Sequence, residues 1–163
     1  MSIGILNLYL STLGGGERST IATARAVSDL TGWPVVIYSL QPEVGRARLE
    51  RSFGISLENI TFVFAPLQRT LIQHIHSARH TLFINHTHSS TLPNPCRYGI
   101  YVMMFPDGIA DWDFLRSYDQ IWCNSQFTLT HLSMRSGFPE DTFVVVHPPA
   151  RSPMAVREKD WRL

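Results

Sequence analysis

Short apolar runs alternate along the chain with segments in which apolar residues recur at helical spacing. The runs have the length and β-branched content of buried strands, and they occupy residues 2–8, 34–39, 60–64, 81–85, 99–104, 120–124 and 142–146. Helical patterns lie between most of them, starting at Glu17 and covering residues 43–53, 68–79, 111–118 and 125–136. Strands this apolar need helices on both faces of their sheet. We therefore predict an α/β protein, a three-layer α/β/α sandwich with a mostly parallel sheet of about seven strands.

Length, composition and net charge favour a globular protein over a nucleic-acid-binding or membrane-spanning one. With 163 residues, of which 44% are hydrophobic and 17% charged, the chain is expected to form one globular domain with a sizeable core. A net charge of +1 creates no positive field, so no nucleic-acid partner is expected. No apolar stretch approaches the length of a membrane span, and the first residues lack the pattern of a leader. Cys96 and Cys123 fit neither a disulfide framework nor a zinc spacing, which favours a cytoplasmic setting.

Three consecutive glycines separate the first strand pattern from the first helix pattern: Gly14, Gly15 and Gly16. At such a helix N-terminus the backbone N–H groups can closely approach a phosphate or a sugar, and the helix dipole favours negative charge. A structural alternative is a tight turn that only needs unusual backbone angles. The glycines do not have the Gly-x-Gly-x-x-Gly spacing of dinucleotide sites. The feature therefore predicts a phosphorylated ligand of another kind.

Five segments carry a family resemblance: a glycine loop at 14–18, His-x-His at 86–88, a hydrophobic strand ending in Phe-Pro at 101–106, the segment 118–128, and a strand with a double proline at 144–149. In this order they resemble the N-terminal domain of glycosyltransferase family 4, whose enzymes have the GT-B fold. The likeness is strongest to the branch of eukaryotic lipid-linked-oligosaccharide mannosyltransferases. Together the segments cover the chain nearly end to end.

The resemblance implies two Rossmann-like domains that face each other across a cleft. The N-terminal domain of such enzymes mainly binds the acceptor, and the C-terminal domain binds the nucleotide-sugar donor and carries paired glutamates. This chain matches only the first. We expect residues 1–149 to form the Rossmann-like N-terminal domain. The proline-rich stretch at 148–153 reads as a linker, so residues 150–163 are expected to lead into a missing C-terminal domain.

The activity implied by the resemblance is retaining transfer of a hexose from UDP- or GDP-hexose to a lipid-linked or saccharide acceptor, with no cofactor and no required metal. The isolated chain is expected to be inactive. One alternative is a non-catalytic subunit that pairs with a separate donor-binding chain. Another is a different Rossmann-type nucleotide-binding protein, such as a dehydrogenase fragment. The glycine spacing argues against the latter, as do Ser39 and Leu40 where an acidic residue should end the second strand.

The resemblance also assigns site residues. Gly14, Gly15 and Gly16 line the phosphates and sugar of the donor. His88 is the catalytic candidate beside the transferred sugar, where an imidazole can hydrogen-bond a hydroxyl or stabilise charge. The family often has a carboxylate after that histidine, whereas this chain has Ser89.

Three further residues are candidates for contacting the acceptor: Arg18, His86 and Asp107. A solvated surface position is the alternative for Arg18, and a turn is the alternative for Asp107. His86 and His88 lie two positions apart on an extended segment, which also suits a metal ion. No nearby cysteine or carboxylate completes such a ligand set, so no metal site is expected. A third interpretation is that they are polar residues at a strand end.

A basic stretch offers one possible membrane contact. Arg46, Arg48 and Arg51 could each attract anionic lipid by roughly 1 kcal/mol, giving peripheral association with the inner face of the membrane. The alternative is a solvated helix face on which Glu43 and Glu50 offset part of the charge.

Overall fold

The computed structural model describes residues 1–88, 90–105 and 112–149, and it shows an α/β sandwich built on one parallel sheet. Within these residues the sheet has seven strands: β1 Ile3–Leu6, β2 Val35–Leu40, β3 Ile60–Ala65, β4 Leu82–Asn85, β5 Tyr98–Met103, β6 Gln120–Cys123 and β7 Phe143–Val145. The α-helices are α1 Gly15–Thr31, α2 Arg46–Phe53, α3 Gln68–Ala78 and α4 Gln126–Ser136. All pairs of neighbouring strands are parallel, so the predicted fold class is confirmed.

Helices cover the sheet from both sides. Ile21 of α1 and Leu49 of α2 belong to one buried apolar cluster, and Leu71 of α3 and Leu132 of α4 belong to the other. A 3₁₀ turn, Asp113–Ser117, joins the second layer. The two clusters occupy opposite faces because successive side chains along each strand point to opposite sides of the sheet. This gives the predicted Rossmann-like three-layer architecture.

The strand order places a reversal in the middle of the sheet. The order is β3-β2-β1-β4-β5-β6-β7, and its first six strands follow the 3-2-1-4-5-6 order of doubly wound dinucleotide-binding folds. Ile3 of β1 aligns with Val35 of β2 on one side and with Leu82 of β4 on the other. Where the order reverses, the connections after neighbouring strands leave in opposite directions and open a crevice at the carboxyl ends of the strands. In this fold the crevice lies after β1 and β4.

The first helix begins earlier than its sequence pattern predicts. The pattern starts at Glu17, whereas α1 begins at Gly15 with Gly14 as its N-cap. Glycine is a poor helix former and contributes no apolar side chain, so the pattern could not show the first turn. Two of the three glycines are therefore helical residues and not part of a preceding turn.

One part of the sheet has no helix over it in the described residues. On the side of α1 and α2, β6 carries Trp122, β7 carries Val144, and Val146 follows directly after β7. Trp122 is only half-buried, and both valines are exposed. A groove consequently runs between α1 and this apolar surface.

Candidate functional site

The N-terminus of α1 presents free backbone donors at the carboxyl edge of the sheet. The first intrahelical hydrogen bond is donated by the Arg18 N–H to the Gly14 carbonyl at 3.1 Å. The N–H groups of Gly15, Gly16 and Glu17 precede it and have no carbonyl within the helix to bond. These donors lie at the positive end of the helix dipole, which makes the position suitable for an anion.

Packing does not require glycine at positions 15 and 16, whereas a Cβ at Gly14 would lie only 2.8 Å from Glu17 Oε2. None of the three has a positive φ, and the left-handed residue of this connection is Leu13, at φ 57°. The structural alternative of a glycine turn with unusual backbone angles is therefore wrong. A Cβ at Gly15 would meet nothing within 4 Å, and one at Gly16 would make an ordinary 3.5 Å contact with the Met104 sulfur. What glycine adds here is an unobstructed approach to the helix end from outside the chain.

A hydrogen-bond network extends the pairing of β1 and β4 beyond their ends. The His86 N–H donates to the Leu6 carbonyl at 2.9 Å, and the Leu8 N–H donates to Thr87 Oγ1 at 3.0 Å. The Asn85 side-chain amide donates to the Tyr118 hydroxyl at 3.1 Å. These bonds hold the predicted 86–88 segment at the same crevice as the N-terminus of α1.

His86 is buried, with its side chain only 3% exposed. Burial lowers the pKa of this imidazole to about 4, because a charged ring would lose its hydration. His86 is therefore neutral at neutral pH, and its buried Nδ1 has no hydrogen-bond partner among the described residues. The ring keeps an unused hydrogen-bonding group in an apolar setting.

His88 has different surroundings from His86. It is half-buried, and its ring packs edge-on against Phe105 with a centroid separation of 5.2 Å. The two histidines thus lie on one strand end in unlike environments. Among residues 1–88, 90–105 and 112–149, no three His, Cys, Asp or Glu side chains are grouped as a metal site would need.

The groove beside α1 forms a cavity of about 280 Å³. Its lining combines one side of α1 with the ends of β5, β6 and β7 and includes Ala22, Val27, His86, Val102, Trp122 and Pro148. Most of these side chains are apolar. The predicted residues Gly14, Gly15, Gly16 and His88 do not line this cavity; Met104, which does, is the side chain that a Cβ at Gly16 would touch.

The remaining predicted residues have varied placements. Arg18 is half-buried, and its Nε has no hydrogen-bond partner in the described part of the chain. Asp107 lies outside the described residues. Of the basic stretch, Arg46 donates to the carbonyls of Leu57 and Ile60, both at 2.6 Å, so its guanidinium supports the connection between α2 and β3.

The other two arginines of that stretch, Arg48 and Arg51, are exposed on α2. Arg46 is exposed as well and keeps its positive charge, so the membrane contact through these three arginines stays a prediction. None of the helices in the described ranges has the length and apolarity needed to cross a bilayer.

His80, to which the sequence assigned no role, is buried in the structure. Its Nδ1 shares a hydrogen bond with Ser2 Oγ at 2.8 Å, and its Nε2 shares one with the Tyr38 hydroxyl at 2.7 Å. Burial lowers the pKa of His80 and raises that of Tyr38 to about 12, so both are neutral at neutral pH. In the sequence, Gly4 was the residue that could have indicated this buried histidine, because an isolated glycine within a strand often marks a close approach by another group. A Cβ at Gly4 would lie 2.6 Å from His80 Cδ2.

Comparison with known proteins adds no family to this picture. A scan against protein-family models found no match. A search of curated proteins likewise found none.

Proposed function

We propose that this chain is the acceptor-side domain of a retaining glycosyltransferase that transfers a hexose from a nucleotide-sugar to a lipid-linked or saccharide acceptor. The observation that carries the proposal is that two of the segments with the family resemblance lie at one crevice. They are the glycine loop and the His-x-His segment at 86–88. The α1 N-terminus begins at Gly15, and His86 is held against the end of β1 by its bond to Leu6. In doubly wound sheets, ligands bind at this position.

The free N–H groups suit the chemistry of a departing nucleoside diphosphate. Negative charge grows on the leaving phosphate as the bond to the sugar breaks. Donors already fixed in place stabilise that charge without reorganising. Gly15 and Gly16 offer such donors with no side chain between them and a ligand. In this proposal the half-buried His88, which lies at the same crevice, contacts the sugar being transferred.

Exposed apolar side chains at the carboxyl edge of the sheet support the proposal that a second domain or a partner chain faces the crevice. Tyr9, Leu67, Phe105 and Phe127 each follow a different strand of the sheet, and each is more than half exposed. In this proposal the four side chains contribute to an interaction surface along this edge. A donor-binding domain of the same polypeptide would cover them. The non-catalytic alternative, with a separate donor-binding chain, would use the same surface.

The size of the natural polypeptide separates these two arrangements. An immunoblot of the source cells with an antibody against this domain should show a band near twice 18.5 kDa if a second domain of similar size follows. A band at 18.5 kDa would instead direct the search to a partner chain recovered with this one. Tight binding of NAD would favour the dehydrogenase-fragment alternative.

Substitution at Gly15 tests the proposal directly in the natural polypeptide. Gly15→Val puts a branched side chain into open space, so the fold should be retained while ligand approach is blocked. We expect the rate of hexose transfer from a panel of UDP- and GDP-hexoses to fall by roughly 100-fold or more. Gly45→Val is the control, since Gly45 also lies at a helix N-terminus, as the N-cap of α2, and also faces open space. Equal rates in the two variants would contradict the role of the glycines, and no transfer by the unmodified protein to any acceptor would contradict the function.

A further inference from the structure

The groove beside α1 changes in polarity along its length. At the carboxyl edge of the sheet its lining includes His86, Ser19 and Asn124, whereas farther along α1 it includes Val27 and Leu30. From Ser19 to Leu30 the helix rises by about 16 Å. A ligand that matched this surface would have a polar head at the crevice and an apolar chain along the helix.

At the polar end of the groove, a buried ring nitrogen of His86 has no hydrogen-bond partner among the described residues. The His86 side chain is 3% exposed, lines the groove, and carries a buried nitrogen that no described residue bonds. An unbonded buried polar group is costly, and a ligand that bonds it recovers that cost. Met104 connects this end to the N-terminus of α1, because it lines the groove and also contacts the position of a Gly16 side chain.

The dimensions favour a thin occupant over a helix of protein. Even with the part that opens to solvent included, the empty space of the groove is about 840 Å³. An α-helix about 10 Å wide that followed the same stretch of α1 occupies on the order of 1,200 Å³, so it could lie only partly inside the groove. A single extended hydrocarbon chain needs far less width. Small side chains on α1, at Ala22 and Ala26, leave room for one.

We propose that this groove binds the hydrocarbon chain of an amphipathic acceptor, with the polar head beside His86 and the N-terminus of α1. The identity of this amphiphile as an acceptor rests on the proposed glycosyl transfer, whereas the binding of the chain does not. Burying the hydrocarbon against Val102 and Trp122 supplies the affinity, at about 25 cal/mol for each Å² removed from water. Of the two proposed acceptors, we therefore favour a lipid-linked one over a free saccharide.

Calorimetric titration of the full chain with dodecyl phosphate, kept below its micelle concentration, tests this site. We expect saturable binding that inorganic phosphate at the same concentration does not displace. Ala26→Phe should weaken it at least tenfold by filling the groove. Ala47→Phe is the matched control, because Ala47 is exposed on α2 and does not line the groove. Absence of binding, displacement by inorganic phosphate, or equal weakening by both variants would overturn the proposal.

Fluorescence locates the bound chain independently. A dodecyl phosphate brominated along its chain should quench Trp122, which lines the groove. Trp122→Phe removes the indole but keeps an aromatic side chain in the groove, so it should bind the probe more weakly and, at saturating probe, lose most of the quenching. Unchanged quenching in that variant would place the chain elsewhere and reject the site. If the lipid binds as expected while no hexose transfer is ever observed, the groove stands and the glycosyltransferase proposal fails.

Discussion

The carboxylate of Glu17 accepts a hydrogen bond from the Gly14 N–H at 2.6 Å. The side chain thereby caps the N-terminus of its own helix and places a negative charge at the positive end of the helix dipole. Glycine has no side chain to return the bond, so only half of a capping box is formed. The charge stabilises the helix end and should oppose any anion that binds there.

Glu17→Gln should therefore tighten the binding of UDP or GDP while leaving the cap in place. The amide oxygen can still accept the bond from Gly14, and loss of the charge removes a repulsion of about 1 kcal/mol for two charges about 4 Å apart in water, a factor of roughly five in affinity. Calorimetry on the natural polypeptide would measure the change. Glu58→Gln, at an exposed position outside α1, is the control. Weaker nucleotide binding by Glu17→Gln alone would contradict an anion site at this helix end.

His88→Ala should lower kcat for hexose transfer by about 100-fold with little effect on folding. The reason is the loss of a hydrogen bond or charge stabilisation at the reacting sugar, whereas the half-buried ring contributes little to the core. Steady-state kinetics and circular dichroism on the natural polypeptide measure the two effects. His74→Ala, on the exposed side of α3, should leave both unchanged. A wild-type rate for His88→Ala would remove this residue from the mechanism.

The stability of the domain should fall as pH drops from 6.5 towards 4, in part because of His86. Its pKa is about 4 when folded and 6.5 when unfolded, so the unfolded chain binds the proton first as pH falls. The contribution is complete above pH 6.5 and declines by up to about 3 kcal/mol near pH 4. Urea denaturation across this range gives the slope, and a histidine NMR titration gives the pKa directly.

Replacing His86 with Gln should reduce that slope, whereas His76→Gln, which changes an exposed residue of α3, should not. His80 contributes in the same direction, since its pKa is also lowered, so part of the slope should persist in His86→Gln. Identical slopes for all three proteins would show that His86 titrates normally.

Gly4→Ala should destabilise the domain by about 2–4 kcal/mol. The new methyl group must push away the His80 ring, which would strain the core and break its bonds to Ser2 and Tyr38. Urea denaturation measures the loss, and Gly45→Ala, in open space, should cost less than about 1 kcal/mol. In the double variant Gly4→Ala/His80→Ala the two losses should not add, because the clash is gone. Strict additivity would argue against the contact.

Much of the fold could be predicted because each strand is an uninterrupted apolar run. The end of β1 is an instructive exception, since the apolar pattern extends to Leu8 but the strand ends at Leu6. The Asn7 N–H still pairs with the Tyr38 carbonyl of β2 at 3.0 Å, but its side-chain oxygen accepts the Tyr9 N–H at 2.9 Å and its amide donates to Thr20 at 2.6 Å. Such local bonds compete with strand pairing, and no periodicity reveals them.

The site could be predicted only in part. Sequence order places the glycine segment and residues 86–88 after strands, which is enough to expect them at one sheet edge. The burial of His86, the groove along α1 and the pocket of His80 depend on side chains from several strands and helices packing together. His86 and His88 are separated by one residue, and only the structure shows that one is buried and the other packs on Phe105.

Because β1 lies in the middle of the sheet, its position affects the order in which the strands can pair during folding. β1, β2 and β3 are consecutive in the chain and can pair early, but the other side of β1 stays open until Leu82 is available. Closing so long a loop carries an entropic cost and slows folding. During synthesis the crevice therefore does not exist until residue 88 has left the ribosome, and before then β1 exposes an apolar strand edge of the kind that chaperones protect.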